Sequence, residues 1–190
     1  MSGKKVVFMK KIIITIVMVV LVLCSGFLTF LLLSTPKPKT FEGKGLTIEL
    51  ASDFKVVDSE NWQFYAENKD IAFMANRIGK LSTIKDAAGK EFKLTNFTLQ
   101  SYLSFTLAMY NLSAENNTIS IYDTDLYNES AKEAKMYYCY YTDADGKYAY
   151  MMFVKESDNF FYTMNLACDA DKLNVFRTRM LQYAISVDVE

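Results

Sequence analysis

The chain has 190 residues, with 21 Lys and Arg against 22 Asp and Glu, no histidine, three cysteines and 15% aromatic residues. The missing histidine excludes Ser-His-Asp and Cys-His catalysis, histidine-ligated zinc and the usual neutral-pH switch. Beyond the first 33 residues, 17 basic residues stand against 22 acidic ones, which gives no argument for nucleic acid, whose phosphates require clustered Lys and Arg.

The first element is a run without charge from Ile12 to Leu33, behind Lys4, Lys5, Lys10 and Lys11. At about 1.5 Å per residue, 22 residues of helix reach roughly 33 Å, enough to cross a bilayer core of about 30 Å. A cleaved signal peptide has the same flanks but a shorter apolar stretch, of about 7–15 residues, and no small-x-small site follows Leu33. Lipidation at Cys24 meets the large Leu23, and a pilin-like reading at Gly26-Phe27 meets Leu31 where a glutamate belongs. The reading is therefore an uncleaved transmembrane helix over 12–33, bounded by Lys10, Lys11, Ile12 and Leu33, with the lipid bilayer as its partner. Lysines bracket the span with a modest excess before it, and a short first tail stays inside. This predicts a cytoplasmic basic tail over 1–11, a cell-membrane location and an extracytoplasmic C-terminal domain. Residues 34–44, with Pro36 and Pro38, read as a stiffened linker.

The expected domain is 45–190. Everything after the span, residues 34–190, holds 17 basic and all 22 acidic residues, a formal charge of −5. Gly45 to Leu50 alternates as a half-buried strand. Trp62–Ala66 and Ile71–Ala75 flank Glu67-Asn68-Lys69-Asp70 as a hairpin. Residues 79–95 read as a loop with a helical turn. Thr98 is a candidate N-cap for a helix from Leu99 to about Leu112, with Leu99, Tyr102, Leu103, Thr106 and Tyr110 on one face. Residues 94–114 carry no charge, so neighbours cover this helix or it meets a partner. Thr118–Tyr122 alternates as a strand.

A three-strand meander follows: Met136–Tyr141, Tyr148–Val154 and Phe160–Ala167, with turns at Asp143-Ala144-Asp145-Gly146 and Glu156-Ser157-Asp158-Asn159. Asp169 or Asp171 would cap a last helix to about Tyr183, with Leu173, Phe176, Met180 and Tyr183 inward. Ile185–Val189 ends as a strand. The meander strands are apolar or aromatic on both faces, so their sheet needs cover twice. The expected fold class is α+β: one N-terminal transmembrane helix, then a mostly antiparallel sheet covered by helices on both faces.

That order of motifs resembles the PsbP-like α/β/α sandwich, and within it uncharacterised membrane-tethered members from Gram-positive bacteria. Gly45-Leu46-Thr47-Ile48-Glu49-Leu50 with Phe54 is similar to the family's opening strand, and Asp70-Ile71-Ala72 to its Asp-Ile-Ala strand. Thr98-Leu99-Gln100-Ser101-Tyr102 is similar to the helix start Thr-Leu-Glu-Glu-Tyr. Here Gln100 and Ser101 replace the acids, so the capping box is absent. The resemblance covers about residues 41–190 and implies an accessory or binding module. It supplies no catalytic residues.

Cys139 and Cys168 fall on strands separated by a third. Two strand spacings of about 4.8 Å exceed the roughly 4.4–6.8 Å Cα separation of a disulfide, so both are expected as buried thiols. Asp143-x-Asp145-Gly146 lacks the third oxygen ligand and later glutamate of a calcium loop and reads as a turn. Four sequons, at Asn96, Asn111, Asn116 and Asn128, fit chance in a chain rich in Asn, Ser and Thr. No metal or cofactor is expected.

The candidate binding surface is a tyrosine set. With even loop lengths Tyr137, Tyr141, Tyr148 and Tyr150 share a face with Cys139 and Asn165. Tyrosine joins an apolar body to a polar tip, suited to carbohydrate or peptide. The competing reading is that a helix covers this face and the hydroxyls bond locally. The expected function is thus a non-enzymatic, membrane-anchored module binding a protein or cell-envelope component. The alternatives are an assembly subunit of a membrane complex, or an envelope hydrolase using Asp123, Asp125, Asp143 or Asp145 as paired carboxylates.

Overall fold

The computed structural model describes residues 37–86, 88–110, 120–123 and 136–190. The expected membrane span, 12–33, lies outside them. Among the described residues no helix is long and apolar enough to cross a membrane.

The chain divides into two units at Lys37/Pro38, and the second runs to Glu190. It opens with a hairpin of β1, Pro38–Gly43, and β2, Leu46–Ala51, paired antiparallel with Phe41 opposite Ile48. The linker expected over 34–44 therefore gives way to a strand from Pro38, and the domain begins earlier than residue 45. Proline is tolerated because it occupies the first position of an edge strand, where its missing N–H breaks no ladder. The hairpin closes through Lys44 and Gly45, both at positive φ (55° and 71°), the signature of a two-residue turn matched to strand twist. β12, Asp188–Val189, pairs with the other edge of β2.

Among the described residues the main sheet has seven antiparallel strands. They are β3 (Lys55–Val56), β4 (Phe64–Glu67), β5 (Ala72–Gly79), β8 (Ser120–Asp123), β9 (Tyr137–Thr142), β10 (Tyr148–Glu156) and β11 (Phe160–Asp169). Their spatial order is β3-β4-β5-β11-β10-β9-β8. The β4–β5 hairpin and the β9–β10–β11 meander fall where the alternation predicts them. The expected loop over 79–95 instead contains a small hairpin, β6 (Thr83–Lys85) with β7 (Glu91–Lys93), before a 3-10 turn at Leu94–Asn96. Three-residue strands with one apolar residue each, Ile84 and Phe92, are too short to show a period.

One face of the main sheet presents Phe73, Tyr138, Met151, Phe153, Tyr162, Met164 and Leu166 to a single buried cluster. Two elements cover it: the β1-β2-β12 sheet through Ile48 and Leu50, and helix α2, Leu173–Ile185, through Phe176, Met180 and Ala184. The expected single sheet is thus two main-chain layers on this side. The expected aspartate cap is absent as well. A 3-10 turn over Ala170–Lys172 intervenes, Lys172 occupies the cap position, and the Asp169 carboxylate takes the Lys172 ammonium at 2.7 Å instead. Leu173 and Tyr183 sit half-buried at the edge of the cluster rather than inside it.

Helix α1, Leu99–Met109, lies on the opposite face, with Thr98 Oγ1 accepting from the Ser101 amide at 3.2 Å as the cap expected there. It buries Leu99, Tyr102, Leu103, Thr106 and Leu107. Leu107 replaces the expected Tyr110, which follows the last turn and is 45% exposed. The Tyr102 ring stacks on Phe161 at 4.5 Å and 14°, and its hydroxyl lies 2.9 Å from Thr163 Oγ1. The outward residues Gln100, Ser101, Ser104, Ala108 and Met109 are exposed, so the charge-free helix turns a mixture of uncharged polar and apolar groups to solvent.

Cys139 and Cys168 are free and buried. They lie on β9 and β11 with β10 between, and belong to the clusters on opposite faces of the sheet, which excludes a bridge on geometry alone.

Candidate functional site

Strand register decides which side chains meet on the α1 face. Glu67, Ala72, Ala167, Tyr150 and Tyr141 stand side by side across β4, β5, β11, β10 and β9. The next row holds Tyr65, Met74, Asn165, Met152 and Cys139. Helix α1 packs over β9, β10 and β11, covering one end of these rows. At the other end Ala72 and Ala167 have only methyl groups to fill the space between larger neighbours. The result is a cleft of about 380 Å³ floored by Ala72, Met74 and Ala167 and walled by Tyr65, Tyr148 and Tyr150. Glu67, Asn68, Lys69, Asp70 and Asp169 form its rim.

The structure therefore separates the tyrosine set. Tyr141 and Asn165 are buried under α1, with the Tyr141 hydroxyl 3.5 Å from Asn165 Oδ1. Desolvation pushes the Tyr141 phenol well above its usual value, so it stays neutral. Tyr137 is half-buried beside the same cluster. Tyr148, 47% exposed, and Tyr150 face the cleft. Helix cover and local bonding thus describe Tyr141 and Asn165, whereas Tyr148 and Tyr150 remain open to a ligand. Tyr150 stacks flat on Tyr141 at 5.0 Å and 9°, which fixes its ring as a wall.

Tyr65 faces these rings across the alanine floor. Its hydroxyl donates to Glu67 Oε2 at 2.6 Å. Desolvation, and then that bond and the adjacent charge, push the phenol up to about 12. The Tyr65–Glu67 pair orients the carboxylate, and no ion pair among the described residues involves Glu67. The other two acids are partly neutralised: Lys172 lies 2.7 Å from Asp169 and 3.9 Å from Asp70. Neither Tyr65 nor Glu67 is a residue that strand alternation in the meander could have flagged. Ala72 opposite Ala167 was the available signal, but it becomes visible only when β5 is known to pair with β11.

Of the acids of the hydrolase alternative, Asp143 and Asp145 are not among the residues lining the cleft, and the Asp123 side chain lies outside the described residues. Asp143 Oδ1 accepts from the Lys147 and Tyr148 amides at 2.7 and 3.2 Å, and Gly146 at φ 66° closes the turn onto the Asp143 carbonyl. Asp145 is an exposed turn residue, and Asp125 lies outside the described residues. Among the described residues no group of three or more Cys, Asp or Glu could hold a metal ion.

The sequence matches no protein-family model and no curated protein. The fold has a counterpart among solved structures. It is similar to the solution structure of cyanobacterial PsbP (CyanoP) from Synechocystis sp. PCC 6803, with a TM-score of 0.53 and 10% identity, over 80% of this chain and 92% of that one. The fold is PsbP-like, as the motif order implied. At that identity the likeness carries the fold and nothing of the site.

Proposed function

We propose that this chain is a membrane-anchored extracytoplasmic binding module without catalytic activity, and that the cleft between Tyr65 and Tyr148 is where it meets its partner. The observation that carries the reading is the cleft itself. It is an aromatic trough with a polar rim, left open on a sheet whose other face packs against α2 and the β1-β2-β12 sheet. Ligand sites have this composition: apolar walls with a few convergent polar groups. Its carboxylates are engaged by Tyr65 and Lys172 rather than arranged as an acid–base pair.

The anchor is the uncharged run Ile12–Leu33, followed by a short connection to β1. The resemblance of the motif order to membrane-tethered proteins favours the same arrangement. Protease added to intact producing cells is expected to digest the Pro38–Glu190 body and leave a short stub in the membrane fraction. Full protection until the cells are opened would overturn the orientation. Recovery of a chain lacking its first 33 residues in the medium would overturn the anchor.

A further inference from the structure

We propose that the cleft takes an arginine side chain presented by an extended peptide segment of a protein partner. This rests on the binding-module reading above and names the chemistry of that same site. Three observations select a cation with a flat, partly apolar head.

The walls are tyrosine rings: Tyr65 on one side, Tyr148 and the immobilised Tyr150 on the other. A tyrosine face attracts a guanidinium, which stacks on it as well as carrying charge. The protein already makes this contact elsewhere, with Arg177 over the Tyr140 ring at 4.6 Å and Arg77 over Phe160 at 4.4 Å.

The charge of the rim is negative. Glu67, Asp70 and Asp169 outnumber Lys69 there, and Lys172 is shared between the two aspartates. Glu67 stands without an ion pair among the described residues, and its orientation is fixed by the Tyr65 hydroxyl. A bonded carboxylate with spare lone pairs is an acceptor for a guanidinium fork. Residues 34–190 together, at −5, add attraction for a basic segment and repel an acidic one.

Size limits the occupant. At about 380 Å³ the cleft lies near the small end of the roughly 300–1,000 Å³ of ligand pockets. It suits one long side chain with its flanking backbone and is too small to enclose an oligosaccharide of several rings.

The test is an NMR titration of the full chain in detergent micelles with three end-blocked tripeptides, Gly-Arg-Gly, Gly-citrulline-Gly and Gly-Glu-Gly, and with chitotriose. Citrulline keeps the shape of arginine and removes its charge. Gly-Arg-Gly is expected to saturate with a Kd on the order of 1 mM, shifting resonances of Tyr65, Tyr148 and Tyr150. The citrulline peptide should bind more weakly and the glutamate peptide not at all. Glu67→Gln should weaken the arginine peptide by about three- to fivefold, and raising salt from about 0.05 to about 0.5 M should do the same. Ala167→Leu, which fills the floor without touching a charge, should abolish binding while leaving the spectrum of α1 unchanged. Equal affinity for arginine and citrulline, or an unchanged Kd in Glu67→Gln, overturns the proposal. Chitotriose binding more tightly than the arginine peptide also overturns it and leaves the binding-module reading standing. Silence of the cleft residues toward all four probes, in a folded chain, overturns both.

Discussion

Lys155 offers a test of how the C-terminal strand is held. It lies on β10 and is 4% exposed, and its ammonium donates to the Val187 carbonyl just ahead of β12. Burial lowers its pKa from the usual 10.5 to about 8, against a smaller opposing pull from Asp188. The folded state therefore releases this proton more readily than the unfolded chain. Between about pH 8 and about 10.5 the unfolded state binds more protons, so the lysine's contribution to stability rises with pH across that window and is constant and unfavourable below it. At about 1.4 kcal/mol per unit the shift corresponds to about 3 kcal/mol at pH 7. Lys155→Met removes this penalty but strands the Val187 carbonyl, a loss of about 1–2 kcal/mol. The variant is then expected to be about 1–2 kcal/mol more stable at pH 7.

The assay is urea unfolding of both proteins at intervals from pH 6.5 to pH 10.5. Other groups complicate the wild-type curve alone. Burial pushes Cys139 up to about 12 and Cys168 up to about 11, and Tyr65 rises to about 12. Each keeps its proton in the folded state while the unfolded chain loses it, so they lower stability as pH rises above about 9. They are common to both proteins and cancel in the difference. The variant's advantage should hold steady to about pH 8, shrink above it and reverse between about pH 9 and 10. An advantage that stays constant through pH 10, or a variant already less stable at pH 7, refutes the reasoning.

Two further substitutions probe the elements that frame the cleft. Tyr102→Phe keeps the stack on Phe161 but leaves buried Thr163 without its 2.9 Å partner; a loss of about 1–2 kcal/mol in urea unfolding is expected, and an unchanged midpoint would show that this bond does not fasten α1. Gly45→Ala must hold a positive φ with its new methyl 2.6 Å from Arg77 Nη1 and 3.0 Å from the Tyr162 hydroxyl, whereas Gly146→Ala carries a similar φ with nothing within 4 Å. The second should cost about 1 kcal/mol for the left-handed backbone alone and the first clearly more, so equal melting temperatures would deny the crowding at the β1–β2 turn.

The meander was legible because its signals are local. Aromatic runs of strand length stand between Asp145-Gly146 and Ser157-Asp158-Asn159, and these turns sit where the register requires them. Helix α1 was legible because Thr98 and the spacing from Leu99 to Thr106 agree. The failures have equally local causes. Pro38 and three lysines masked the Phe41 anchor of β1, and the 3-10 turn after β11 displaced the start of α2 beyond the aspartates that should have capped it. The site was half legible. Alternation put Tyr148 and Tyr150 on one face, but the partner wall of Tyr65 and Glu67 depends on β5 lying against β11. That pairing joins segments far apart in the chain, and no periodicity within either strand encodes it.

Why a cleft opens on this face follows from the dimensions of the covering elements. Seven strands at about 4.8 Å spacing span roughly 29 Å from first to last. A helix is about 10 Å across, and the 11 residues of α1 extend about 16 Å. Among the described residues, α1 with Ile84, Leu94 and Phe97 packed beside it leaves part of a sheet of that width uncovered, so that part must be tolerable in water. The α2 face meets the same demand with a helix and a second sheet together, and its side chains are mostly apolar, with Lys155 and Arg77 beside Tyr162. On the α1 face the sequence changes character where α1 stops. Under the helix stand Val154, Phe161 and Met152; beyond it stand Glu67, Asn76 and Asp169, with Ala72 and Ala167 keeping exposed apolar area small. Tyr148 and Tyr150 sit at the boundary and line the cleft. A core-packing role explains Tyr141 completely. It does not explain Tyr148, which gives up almost half its surface to water beside a trough that one larger residue at position 72 or 167 would have closed.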